Sequence, residues 1–305
     1  MPTNIEWTDL TDNIIRAKGG GWWCQKISEG CKNCYSEKLN QNSFFGGNKQ
    51  PYSGQPPELV LDTEAIRKWG FQRKPKKHFV SSMTDVFGEW VPRLWQHEML
   101  DGMFVAPNQV FQILTKRPEI MLSSMDEWLS CHGLDKLPLN IWPGTSIENR
   151  RTLEERSQFL AQIPALIRFW SVEPLLEDLG DITHYLNDAQ LVIIGGESGP
   201  NSRPCHIEWL ESIVQQCHAA KTPVFVKQLG ANAIFGGQRF KTRDKKGETL
   251  KSFHKNYRLG NFLFRYESKS KSPTLFFTGG EGKVFCRVLT MSLTKKINIA
   301  GGFKR

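Results

Sequence analysis

From about residue 75 to residue 230 the chain keeps one rhythm, which limits its fold more than any other feature. Short apolar, β-branched or aromatic runs alternate with longer amphipathic stretches. The runs are KHFVSSMTD (77–85), QVFQILTKRP (109–118), LNIWPGTSIENR (139–150), IRFWSVEPLL (167–176), QLVIIGGESGP (190–200) and TPVFVKQLG (222–230). Between them, residues 147–163 and 206–220 carry helical spacing. Strand, helix, strand at this interval predicts repeated βαβ units, a parallel sheet and the α/β class. No stretch repeats another in sequence, so the rhythm is architectural and not that of a solenoid. A length of 305 residues suits one large α/β domain or two ordinary ones.

The ends of these runs are equally regular. The predicted strands end in Thr84 and Asp85; Thr115, Lys116 and Arg117; Thr145 and Ser146; Ser171 and Glu173; Gly195, Gly196, Glu197 and Ser198; and Lys227 and Gln228. In parallel α/β folds the carboxyl ends of the strands line the ligand site. One such pair would be an ordinary turn. Six in succession predict a ring of side chains around a common pocket. The stretch IIGGESGP fits neither G-x-G-x-x-G nor G-x-x-x-x-G-K-[ST], so no nucleotide loop is read there. Its glycines are instead expected to let a ligand approach the backbone beside Glu197.

Seven cysteines, an odd number, do not suggest a disulfide framework. Cys131, Cys205, Cys217 and Cys286 are scattered singly and read as small buried or incidental thiols. Cys24, Cys31 and Cys34 differ, falling within eleven positions as C-x6-C-x2-C. The preceding GGWWCQ is predicted to be a first short strand that delivers Cys24 to the pocket rim. Two ligand sets remain open for these thiols. A structural zinc ion wants four protein ligands and would have to recruit His78 or a distant cysteine. A [4Fe–4S] cluster on three thiolates would leave one iron open to a substrate or cofactor.

Charge divides the chain unevenly. Residues 236–305 hold 17 Lys and Arg against 4 Asp and Glu, whereas the first 235 residues hold 23 against 27. The body is mildly acidic, and the last 70 residues form a basic, turn-rich extension, either a small appendage or a poorly ordered tail. Such asymmetry marks a nucleic-acid contact or simply a solvated tail. No window approaches 18 consecutive apolar residues, and MPTNIEWTDLTDN lacks the basic and apolar parts of a secretory signal. A cytoplasmic protein without membrane contact is expected.

The stretches IEWTD, GWWCQKISEGCKNCYSEKLN, LTKRPE, GTSIENR, SVEPLL, IIGGESGPNSRP and VFVKQLG together resemble a phage-associated three-cysteine-motif family, a divergent branch similar to the radical S-adenosylmethionine (SAM) superfamily. The resemblance runs from residue 5 to about 230, with a weaker echo to about 250. The common superfamily spacing is C-x3-C-x2-C with an aromatic residue before the third cysteine. Here the first gap is six residues, Asn33 precedes Cys34, and Tyr35 comes after it. The resemblance implies a parallel (β/α) barrel or partial barrel over residues 1–235, with Cys24, Cys31 and Cys34 ligating a [4Fe–4S] cluster. It further implies SAM as cofactor, reductive cleavage to a 5′-deoxyadenosyl radical, and an electron donor of the flavodoxin or ferredoxin type.

On that reading Glu173 and Glu197 are candidates for the SAM amino group or ribose, and Lys116, Arg117 or Lys227 for a carboxylate or phosphate. Ser146 and Glu148 match ribose contacts by position, and Asp85, Gly195 and Gly196 complete the candidate rim. The substrate is unidentified, with a nucleotide or nucleic acid considered and base stacking on Trp22 or Trp23 a possible mode. The alternative is a non-catalytic, zinc- or cluster-stabilised protein that grips nucleic acid through residues 236–305. Converging Glu, Lys and Thr at the strand ends favour the enzyme.

Overall fold

A computed structural model describes residue 3, residues 5–241, and the backbone of residues 265–266 and 275–276. The first elements are short: strands β1 (Leu10–Asp12) and β2 (Ile15–Ala17), helix α1 (Tyr35–Asn40), strand β3 (Leu59–Leu61) and helix α2 (Thr63–Phe71). The expected alternation then sets in with β4 (Lys77–Val80), α3 (Arg93–Phe104), β5 (Val110–Thr115), α4 (Pro118–His132), β6 (Ile141–Ser146), α5 (Arg150–Gln162) and β7 (Phe169–Val172). It continues through β8 (Leu191–Gly195), β9 (Cys205–His206), α6 (Ile207–Ala219), β10 (Val224–Gln228), β11 (Ala233–Phe235) and β12 (Gln238–Arg239). All six predicted runs contain a strand of the main sheet, and both predicted helices form.

Strands β1, β4, β5, β6, β7, β8 and β10 lie side by side in that order, every neighbouring pair parallel. Order in space matches order in the chain, and the seven strands curl into a half-barrel. Its edges β1 and β10 share no ladder among the described residues. A parallel sheet covered on both faces requires continuous apolar strands, and every residue of β6, β7 and β8 is buried. Helices α2 to α5 pack each against the next in an outer layer. Met99, Met103, Phe111, Trp128, Phe169 and Trp170 are fully buried in the core.

Local signals set the helix limits. Helix α5 starts at a capping box in which Asn149 and Thr152 exchange side-chain and backbone bonds. Helix α4 opens on Pro118 and stops at Gly133, whose φ of 61° suits glycine. Between β7 and β8 the crossover holds a short 3₁₀ turn, Tyr185–Asp188, in place of an α-helix.

The expectation for GGWWCQ is corrected. The sheet begins instead with the three-residue β1, and residues 22–28 form no strand or helix. Gly20 and Gly21 take φ of 96° and 71°, which turns the chain out of β2. Trp22 N–H then donates to the Asn40 side chain at 2.8 Å, and so joins no ladder.

The chain separates into two compact units, Met1–Arg258 and Leu259–Arg305. In the second, Arg265–Tyr266 pairs antiparallel with Leu275–Phe276. Most of the basic extension, including Cys286, lies outside the described residues. Among the described residues no helix is long and apolar enough to cross a membrane.

Candidate functional site

Seven parallel strands place their carboxyl ends on one rim, where ligands bind in such folds. The cysteine segment leaves and re-enters at this sheet's first crossover. Strand β2 pairs antiparallel with β3, Ile15 opposite Leu61 and Ala17 opposite Leu59, so residues 18–58 form one excursion between β1 and β4. Within it Asn40 is fully buried. Its amide accepts from Trp22 N–H and donates to Asn48 Oδ1 at 2.8 Å and to the Gln50 carbonyl at 3.0 Å. Gly21 and Gly47 are needed beside it, because a Cβ would fall 2.7 Å from Asn40 Oδ1 and 2.0 Å from the Asn40 carbonyl oxygen respectively.

Three rim residues fasten this excursion, one just ahead of each cysteine. The Thr84 hydroxyl, past β4, donates to the Trp23 carbonyl at 2.5 Å, immediately before Cys24. Ser28 Oγ donates to Glu148 Oε1, past β6, at 2.9 Å, three residues before Cys31. Asn33 Nδ2 donates to Glu197 Oε2, past β8, at 2.8 Å, directly before Cys34. Arg203 adds a second link: its Nε and Nη2 hold both Glu197 oxygens at 3.1 and 2.6 Å, while Nη1 donates to the Glu29 carbonyl at 3.0 Å. Tyr35 and Tyr52 hydroxyls donate to the Ser82 and Met83 carbonyls, tying the same segment to the end of β4.

These contacts set the electrostatics. Glu148 is completely buried. Burial alone would raise its pKa, but Lys116, Arg156 and the Ser28 hydroxyl more than offset this and hold it below the usual carboxylate range. Lys116 Nζ contacts Glu148 Oε1, and Arg156 Nη1 reaches Oε2 at 3.0 Å and the Ser146 carbonyl at 2.7 Å. For Glu197 burial is likewise outweighed, by Arg203 and Asn33, and its carboxyl too is lowered. Asp85 gathers the β5 end, accepting from Thr115 Oγ1 at 2.7 Å, Lys116 N–H at 3.0 Å and Phe87 N–H at 3.1 Å. Arg117 stacks 4.6 Å over Trp90, bonds Glu89 and Asp85, and keeps one buried nitrogen, Nη2, without a partner among the described residues.

The structure therefore brings the expected rim residues together but occupies many of them with protein partners. Glu148 and Glu197, taken from the sequence as ribose or amino contacts, hold the cysteine excursion. Gly195 and Gly196 admit protein atoms: a Cβ would meet Glu173 Oε1 at 2.8 Å in the first case and the Leu229 carbonyl oxygen at 2.4 Å in the second. Ser146 is buried beneath Arg156. The partly exposed charged groups are Glu173 and Lys227, paired at 3.0 Å, and Lys116. Ser28, Asn33, Arg156 and Arg203 act in the site, although none was singled out as a site residue from the sequence. Arg156 left a signal, since it falls on the buried stripe of α5 with Leu153, Ser157 and Leu160.

The six described cysteines are free thiols. Cys31 Sγ lies 3.7 Å from Ser28 Oγ, Cys34 Sγ 3.0 Å from Ser36 Oγ, and Cys24 Sγ 3.9 Å from the Gln25 carbonyl. Burial and the Asp85 carboxylate push the Cys24 thiol up to about 12. Among the described residues no three His, Cys, Asp or Glu side chains stand in a metal-coordinating arrangement. His78, the nearest candidate for a fourth zinc ligand, is buried with Nδ1 on Asp12 at 2.6 Å and Nε2 on Gln109 at 3.2 Å. Three thiols with no histidine among them are in kind the donor set of an iron–sulfur cluster and one short of a closed zinc site.

A family model described as a protein of unknown function (DUF5131) matches residues 2–257. No curated protein matches the chain. No solved structure matches it either.

Proposed function

Since the chain belongs to the DUF5131 family, whose description assigns no function, we propose that it is an iron–sulfur enzyme of the radical SAM type acting on an unidentified substrate. One observation carries this reading: three thiols sit on an excursion fastened, cysteine by cysteine, to the carboxyl ends of a parallel half-barrel. A purely structural metal loop has no need of anchors reaching to three different strand ends. Cys24, Cys31 and Cys34 would hold a [4Fe–4S] cluster, and with SAM this group would supply reductive cleavage to a 5′-deoxyadenosyl radical for hydrogen abstraction.

The chain's own residues then have definable tasks. Thr84, Glu148 and Glu197 hold the Trp23 carbonyl, the Ser28 hydroxyl and the Asn33 amide ahead of the three thiols and limit their wandering. Trp23, buried edge-on against Trp90 at 4.8 Å, keeps water from the peptide next to Cys24. Glu173 and Lys227 form an ion pair of opposite charges that matches the ammonium and carboxylate of an amino-acid moiety. Both are partly exposed, so each can exchange its partner for a ligand group without leaving a buried charge unpaired. An electron donor of the flavodoxin or ferredoxin type would complete the system.

The test is product analysis under anaerobic conditions. Protein reconstituted with iron and sulfide, reduced with dithionite and given SAM is expected to yield 5′-deoxyadenosine, and Cys31→Ala to yield none. Tightly bound zinc with no product would overturn the proposal and favour a metal-stabilised binding protein.

A further inference from the structure

The excursion carries a surface that anchoring does not explain. After α1 the chain makes a 3₁₀ turn, Ser43–Phe45, capped by Asn42 Oδ1 accepting from Phe44 N–H at 3.0 Å and closed by Gly46 at φ 79°. Gly47 presses this turn onto the end of α1. So built, the turn holds two rings outward: Phe44 is 88 % exposed and Phe45 56 %, with centroids 5.3 Å apart at 86°. Isolated exposed apolar residues are commonplace. Two adjacent phenylalanines presented by a capped turn form a platform.

Charge says what would cover it. The excursion, residues 18–58, holds five Lys against three Glu, a net +2 within a body whose first 235 residues sum to −4. Lys32, Lys38 and Lys49 are exposed and make no ion pair among the described residues. The nearby acid Glu37 is buried and already taken by Lys26. Exposed rings and unpaired lysines on one excursion combine base stacking with phosphate attraction, the chemistry that holds single-stranded nucleic acid. A duplex keeps its bases in the stack and would engage the lysines alone. We propose that the Phe44–Phe45 turn with Lys32, Lys38 and Lys49 is a docking platform for a single-stranded nucleic acid on the thiol-bearing excursion. Of the two tryptophans considered for stacking, Trp23 is buried and takes no part. Calling the docked strand the substrate rests on the enzymatic reading above; the docking itself does not.

The experiment is fluorescence anisotropy with a labelled oligothymidylate of about 15 nucleotides. It uses the full-length chain, as purified and again after cluster reconstitution, with a duplex of equal length beside it. The single strand is expected to bind more tightly than the duplex. Phe44→Ala with Phe45→Ala should weaken single-strand binding at least about ten-fold and duplex binding less than about two-fold. Lys38→Gln with Lys49→Gln should lower the salt slope for the single strand by about 1.4. Both variants change exposed side chains, and unchanged thermal melting would verify the fold. Absence of single-strand binding would overturn the proposal, as it would for a surface that takes a protein. So would binding indifferent to both variants, which would assign it to residues 236–305, or an equal loss for duplex and single strand. Because binding is read without SAM, a negative 5′-deoxyadenosine assay leaves this result standing, and the reverse also holds.

Discussion

Strands β4 to β8 and β10 are joined by backbone ladders that many apolar sequences of the right period can make, whereas residues 18–58 reach the rim through single side chains. Trp170 in β7 is enclosed on all sides; Asn33 holds its place through Glu197 and the Asn201 carbonyl. The first kind of construction spreads stability over a core. The second concentrates position at Thr84, Glu148 and Glu197, and of these only Glu148, which also neutralises the buried Arg156, carries a large share of global stability. Damage to the sheet should therefore be felt everywhere, and damage to a fastening mainly in the excursion.

Substitutions can separate these two behaviours. Glu148→Ala is the most severe, because it strips the buried Arg156 and the half-buried Lys116 of their counter-charge, and about 3–5 kcal/mol should be lost in urea denaturation. Trp170→Ala should cost a similar amount, about 3–5 kcal/mol, through the cavity it leaves, and should raise hydrogen exchange in sheet and excursion alike. Gly196→Ala, forced against the Leu229 carbonyl, should cost about 1–3 kcal/mol in the same assay. Asn33→Ala should cost only about 1 kcal/mol, with faster exchange confined to the neighbourhood of residues 29–36. An Asn33 variant that loosened the whole sheet would erase the distinction.

Acid offers the mildest probe. Glu148 and Glu197 have folded pKa values below their ordinary ones. Their contribution is thus complete above the ordinary glutamate value of about 4.3 and fades as pH falls through the depressed folded values. Protection of the excursion should be flat from neutral pH to about 5 and should decline only in stronger acid. Loss of protection on going from pH 5 to 8 would mean that other groups hold it.

The same contrast governs how much the amino-acid sequence revealed. The main-sheet strands β4 to β8 and β10 are legible as short apolar or β-branched runs, which in β6, β7 and β8 follow from burial of every residue. Strand β1, Leu-Thr-Asp at an edge of the sheet, has no such run and gives no signal. For the rim, the sequence indicates which residues end strands but not whether their partner is a ligand or another part of the chain. Glu148 and Glu197 read as ligand contacts for that reason, and their partners Ser28 and Asn33 lie 120 and 164 positions away. Asn33 was visible only as a departure from the aromatic residue of the resembling family. Its amide has a physical reason, since one nitrogen donates to both Glu197 and the Asn201 carbonyl.

The central claim is that these fastenings present three thiols to a cluster. The most direct test is iron and acid-labile sulfide content, with electron paramagnetic resonance after reduction, on protein purified without oxygen. The account predicts a [4Fe–4S] signal in the native chain that Cys24→Ala, Cys31→Ala and Cys34→Ala each abolish. Zinc in place of iron, or an iron signal that survives all three substitutions, would contradict it.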